Sequence, residues 1–261
     1  MASTTFSTRP PARVTLFDYA SRLGDNALIL GQRLGAWVGK APQLEEEMAL
    51  ANLALDCIGQ ARLFYAYAAE QSAFETDEDV IAFHRDEHEY RNFLLVEQPN
   101  GNFAHTMVRH YLYTSFYQDY LLALCKSADR RLADIAAKTE KEMRYHVRHA
   151  RSWLVRLGDG TPTSRDLTQT AVNSLWRFTG ELFYVDALDQ IAIDAGWGPD
   201  ANTLYPSWQS KVAQTLALAT VVQPDSDAMA SGGKAGKHGE SFGYLLAEMQ
   251  HLQRSHPALD W

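Results

Sequence analysis

The chain has no strongly basic stretch. Its 261 residues carry 24 Lys and Arg against 32 Asp and Glu, for a formal net charge of −8. A nucleic acid backbone is therefore not a natural partner. Cysteine is nearly absent: the two present, Cys57 and Cys125, sit in apolar helical runs. They read as small buried hydrophobes in a reducing compartment, not as a disulfide frame. No apolar run reaches the roughly 18–20 residues that span a membrane. The opening residues Met1-Ala-Ser-Thr-Thr-Phe-Ser-Thr-Arg-Pro-Pro-Ala hold no apolar signal core. Residues 1–14 read as a disordered tail, and the protein is expected in the cytoplasm. Also missing are Gly-x-Ser-x-Gly, Cys-x-x-Cys and the Rossmann glycine set, so nothing assembles a nucleophile with a base and an oxyanion hole.

What is present is helical periodicity. Almost every segment repeats near 3.6 residues, and none alternates as a strand does. The pattern predicts helices over 16–38, from Pro42 to 73, 75–96, 102–127, 130–157, 164–195, 200–220 and 240–254. Glu45, Glu46 and Glu47 suit the positive end of the second. Gln98-Pro-Asn-Gly101 and Gly196-Trp-Gly-Pro199 read as turns. Residues 223–239 read as a Gly/Ser/Asp loop, a length that inside a compact domain is usually functional or disordered. Long antiparallel helices with short loops imply one all-α bundle over 15–261.

Ferritin-like di-iron bundles take a lone Glu from two helices and Glu-x-x-His from two others. The stretch 138–154 nearly carries such a pair. Three residues after Glu142 comes Tyr145, and His146 is one residue late. That slip turns a side chain by about 100° on a helix. The second helix offers Asp56, Gly59 and Gln60, which form no ligand pair in either register. The aromatic helix offers Tyr117, Gln118 and Asp119 and no Glu. Asp56, Gly59, Gln60, Glu142, Tyr145 and His146 thus read as degenerate di-iron positions, with Tyr145 filling space inside the bundle and its hydroxyl hydrogen-bonded there.

Three other patterns carry less. His84-Arg-Asp-Glu87-His88 matches an inverted zinc-protease motif, but its charged surroundings suit a solvated helix face. Within and beside it, Arg85, Glu89, Tyr90, Arg91 and Asn92 form a candidate contact patch for a partner or for the edge of a substrate. Ser231-Gly232-Gly233-Lys234-Ala-Gly-Lys237-His238 hints at a phosphate loop. It lacks the Walker spacing and a preceding strand, and reads instead as a mobile loop that docks on a partner. His146 and His149, three apart, suit at most an adventitious metal.

Several segments together resemble the structural C subunit of the bacterial phenylacetyl-CoA epoxidases. They are Arg22-Leu-Gly-Asp-Asn26, Gln32-Arg-Leu-Gly35, Leu50-Ala-Asn-Leu53, Gly59-Gln-Ala-Arg62, Leu94-Leu-Val-Glu-Gln-Pro-Asn-Gly-Asn-Phe103, Lys141-Glu-x-Arg-Tyr-His146, Leu175-Trp-Arg-Phe-Thr179, Gly232-Gly-Lys-x-Gly-x-His238 and Leu246-Ala-Glu-Met-Gln250. The resemblance covers residues 20–254. It implies a ferritin-like bundle with additional helices that has lost its iron ligands and has no cofactor of its own. It implies a structural partner of the catalytic subunit, which holds the di-iron centre and the CoA thioester, while a separate reductase draws electrons from NADPH. The other epoxidase subunits are implied as further partners. The contrasting reading is an active oxygenase with an unusual ligand set. A stand-alone scaffold is the third.

Overall fold

A computed structural model of the chain describes residues 11–225 and 228–256. Among the described residues there are ten α-helices and no strand. They are α1 (Pro11–Gly35), α2 (Leu44–Gln71), α3 (Glu78–Phe83), α4 (Leu94–Glu97), α5 (Phe103–Leu124), α6 (Arg130–Gly158), α7 (Pro162–Leu175), α8 (Ala187–Asp194), α9 (Tyr205–Leu218) and α10 (Glu240–Ser255). The most extensive contacts are α1 with α2 and α5 with α6. Contact of α2 with α6 joins the two pairs into a four-helix core. Helices α7 and α9 flank α5 and α6, and α8 lies on α1.

Local chemistry places the helix starts. The side chains of Asp77, Asn102, Asp129, Thr161 and Asp186 each accept a backbone N–H from the first turn of the helix that follows. Such a cap contributes about 1 kcal/mol. Helix α2 lacks a side-chain cap at Gln43 but carries Glu45, Glu46 and Glu47 in its first turn, where the helix dipole favours negative charge. In α6 the buried positions Leu132, Ile135, Ala136, Thr139, Met143, His146, Ala150 and Leu154 recur every three or four residues. That spacing aims one face at the core.

Four expectations change. Helix α1 begins at Pro11, so residues 11–14 are not tail; residues 1–10 lie outside the described residues. Pro42 precedes the N-cap of α2 instead of entering its first turn. The helix expected over 75–96 is broken into α3, a 3₁₀ turn at Glu87–Glu89 and α4. Side chains claim the backbone donors there: Arg91 N–H goes to Asp25, Phe93 N–H to Asn26 and Leu94 N–H to Glu181. The helix expected over 164–195 stops at Leu175, continues as 3₁₀ turns to Leu182 and resumes as α8. Glu181 is drawn inward in that break, with 2% exposure.

Candidate functional site

The seam between α2 and α6 brings most of the expected di-iron positions together. Gln60 Nε2 donates to Glu142 Oε2 at 2.9 Å. His146 Nε2 lies 3.3 Å from Asp56 Oδ2, and His149 Nε2 lies 2.9 Å from Glu46 Oε2. The two histidines of α6 therefore take different carboxylates of α2 and do not converge. Burial raises the Glu142 carboxyl above the usual carboxylate range, against the hydrogen bond from Gln60. Burial lowers His146 below the usual imidazole value, against the pull of Asp56.

Two expected members of the set lie elsewhere. Gly59 faces solvent, and no atom lies within 4 Å of where its Cβ would sit. Tyr145 is 41% exposed and lies outside against His149 and Arg148, not inside the bundle. The core face of α6 passes through Met143 and His146, so residue 145 points outward. A residue that sequence reasoning overlooks occupies the centre instead. His110 of α5 is completely buried, with its ring centroid 5.1 Å from that of His146. Neither of its nitrogens has a partner among the described residues. Burial, then the nearby His146 and His149, hold it well below the usual imidazole value. Tyr113 and Tyr117 continue this face of α5, also buried and unpartnered at their hydroxyls.

A di-iron centre needs carboxylates and imidazoles around open positions. Here Asp56 faces His146 and Glu142 accepts from Gln60, one position is an amide, and the buried carboxylate of α1, Asp25, is turned to other partners, while both His110 nitrogens and His146 Nδ1 have no partner among the described residues. The expected positions supply two carboxylates, Asp56 and Glu142, and one imidazole, His146, fewer than the set such a centre uses. Among the described residues no three His, Cys, Asp or Glu side chains are placed to share a metal ion. The His-x-x-Glu-His pattern fares similarly. His84 is the C-cap of α3 and His88 lies in a separate 3₁₀ turn, so no single helix face carries both.

The richer polar architecture is a chain of buried carboxylates at the edge of the bundle. Asp25, with no exposed surface, accepts from Tyr65 Oη at 2.7 Å, from Arg91 N–H at 2.8 Å and from both Nη atoms of Arg85. Next to it, Asn26 Oδ1 takes Phe93 N–H at 2.8 Å. Arg22 pairs with Asp186 at 2.7 Å and Asp189 at 3.0 Å. The Arg-Leu-Gly-Asp-Asn segment is thus a hub that fastens 85–93 and α8 to α1. Gly24 belongs to it because a Cβ there would run into the Tyr65 ring.

The candidate contact patch is largely inside this hub. Tyr90 and Asn92 are fully buried. The Arg85 guanidinium stacks over the Tyr90 ring at 4.2 Å, and Asn92 donates to Glu97 at 2.9 Å. Glu89 is exposed but caps Asp86 N–H at 2.7 Å. Arg91 is half-buried, its Nη1 donating to the carbonyls of His88 and Tyr90.

The loop expected to be mobile is tied down in the same way. Glu181 accepts Gly232 N–H at 2.8 Å and Lys234 N–H at 3.3 Å. The buried Lys234 ammonium meets Asp189 and the Tyr184 carbonyl. His238 sits between Glu97 Oε2 at 2.7 Å and the Tyr90 carbonyl at 3.1 Å. Its glycines are packing residues: a Cβ on Gly233 would strike the Asn92 carbonyl, and one on Gly236 the Arg91 guanidinium. Of the named loop residues, Lys237 faces solvent.

The sequence that builds this core and hub belongs to a known group. The sequence model described as phenylacetic acid catabolic protein matches residues 2–261, and the chain belongs to that family. Among curated relatives, it is 49% identical over 243 residues to the C subunit of 1,2-phenylacetyl-CoA epoxidase from Escherichia coli strain K12. That alignment covers 93% of this chain and 98% of the relative.

Proposed function

We propose that the chain is a non-catalytic structural subunit of a multicomponent phenylacetyl-CoA epoxidase of the cytoplasm. It packs against the di-iron catalytic subunit and works in aerobic phenylacetate breakdown. The observation that carries this reading is the seam of α2 and α6. Asp56 faces His146, and Gln60 donates to Glu142, where a catalytic bundle would hold iron. The reading places di-iron and substrate in the partner and NADPH on a separate reductase. The likeness to the E. coli epoxidase subunit supports membership in such a complex.

A surface for the partner is available on α2. Leu44, Met48, Leu55 and Ile58 are 71, 60, 64 and 40% exposed and fall on one side of the helix. The opposite side of α2 is buried against α1. A helix that is apolar all round is normally covered, and a contiguous exposed apolar patch marks an interaction site. Contact of Arg91 with the CoA arm at the subunit interface belongs to the same reading.

Size measurement of the chain with the purified catalytic subunit tests it. Co-elution is expected, and Leu55→Glu is expected to weaken it at least about tenfold, as for a truncated interface anchor. Separate elution of the two wild-type proteins would overturn the reading.

A further inference from the structure

We propose that the outer face of α6 between Arg144 and Arg156 is a docking groove for an acidic amphipathic helix of another subunit. This deepens the proposal of a structural subunit and rests on it. The groove encloses about 660 Å³. Four guanidinium groups line it, those of Arg144, Arg148, Arg151 and Arg156, all on exposed residues. Its floor is apolar, with Val147 and Val155 half-buried, and Leu218 of α9 forms the far wall, 51% exposed.

Most of this charge is uncompensated locally. Arg144 pairs with Glu140 at 2.7 Å. Arg151 Nε donates only to the Thr215 hydroxyl, at 3.2 Å. Arg148 and Arg156 lie against the rings of Tyr145 and Trp153, at 5.4 and 5.5 Å. Three of the four thus have no carboxylate partner among the described residues. That is out of keeping with a chain that carries eight more acidic than basic residues, 32 against 24.

The geometry selects the occupant. The row spans three turns of helix, about 18 Å at 1.5 Å per residue. A helix laid along it presents acids at the three- and four-residue spacing of Arg144, Arg148 and Arg151, with Arg156 five residues further on. Guanidinium forks bind carboxylates in two-point fashion and give up water more readily than ammonium groups do. Ring contacts hold Arg148 and Arg156 in place beforehand. The valine floor and Leu218 call for apolar side chains between the acids, which a helix supplies and a free phosphate or a nucleic acid backbone does not. Arginine that becomes covered when a partner binds is a common interface anchor.

The test measures binding of the purified remaining epoxidase subunits to wild type, to Arg148→Ala/Arg151→Ala and to Arg148→Glu/Arg151→Glu. Measurements are made in about 50 mM and about 300 mM NaCl, where screening differs strongly. Circular dichroism confirms that each variant keeps the wild-type helix content. The alanine pair is expected to weaken binding about tenfold at low salt and the glutamate pair at least about 100-fold, with a smaller salt dependence than wild type. Binding within about twofold of wild type for both variants overturns the groove and leaves the structural reading standing. Failure of wild type to bind any of the other subunits overturns both. Two other results also overturn the groove. One is wild-type self-association abolished by the glutamate pair, which makes a second copy the occupant. The other is loss of adenosine 3′,5′-bisphosphate binding while binding to the other subunits is unchanged, which makes it a small-anion site.

Discussion

Replacing Asp25 with asparagine keeps the shape of the hub and removes its charge. Asp25 has a side chain with 0% exposure, and that of its partner Arg85 has 15%. Its carboxylate gathers Tyr65 Oη, the Arg91 amide and two Arg85 nitrogens. Breaking a buried pair by removing one partner costs about 3–5 kcal/mol, because the other charge is left uncompensated. Arg85 reaches solvent in part, which favours the lower end, so Asp25→Asn is expected to cost about 3 kcal/mol. For a chain of this size that corresponds to a Tm lower by about 6–12 °C. Urea unfolding followed by circular dichroism, with a thermal scan alongside, reads both. Arg85→Met and the double variant complete a cycle. The double variant is expected to be more stable than the sum of the single losses predicts, because it leaves neither charge alone. A loss under about 1 kcal/mol for Asp25→Asn, or strict additivity in the cycle, would refute the claim that this pair fastens 85–93 to α1.

The buried histidines give a pH dependence of definite sign. Burial lowers both His110 and His146, so the unfolded chain binds protons below about pH 6.5 that the folded chain refuses. Their stabilising share is fully present above that pH and is lost as the pH falls beneath it, by up to about 1.4 kcal/mol per unit for each histidine. Urea midpoints at about pH 7 and pH 5.5 are expected to show a steeper loss in wild type than in His110→Leu; equal slopes would contradict this. Gly236 has φ of 75° and no room for a Cβ. Gly236→Ala is therefore expected to cost at least about 1–2 kcal/mol and to raise amide exchange across 232–239, which hydrogen-exchange mass spectrometry reads directly.

The helical class and the long helices of the core are legible in the sequence, because apolar spacing acts locally. The break at 84–93 is not. It depends on Asp25, Asn26 and Glu181, far away along the chain, taking backbone donors that a continuing helix would have used. The glycine-rich segment at 232–238 reads as mobile for a related reason. Its glycines serve contact with 88–94 and its Lys234 serves Asp189, and neither partner is visible from composition. Counting from Glu142 turns Tyr145 inward, whereas the run Leu132, Ile135, Ala136, Met143, Ala150 and Leu154 sets the true face of α6 and leaves it outside. His110 is hidden by the burial of nearly all of α5, where no polar side remains to show which residues face the centre.

The hub and the seam divide the polar residues of the bundle between two tasks. At the edge, Asp25, Glu97, Glu181 and Asp189 lock irregular segments and the glycine-rich loop to the helices. In the centre, Asp56 with His146 and Gln60 with Glu142 tie α2 to α6. Both leave the outer faces of α2 and α6 exposed, the faces on which partner contact is proposed.

The most direct test is the iron content and epoxidation activity of the purified chain, alone and after co-expression with the catalytic subunit. No stoichiometric iron and no turnover are expected for the chain alone, with both appearing only when the catalytic subunit is present. Stoichiometric iron in the isolated chain, lost in Glu142→Ala, or epoxidation without a partner, would contradict the account and return the α2 and α6 seam to the status of a working metal site.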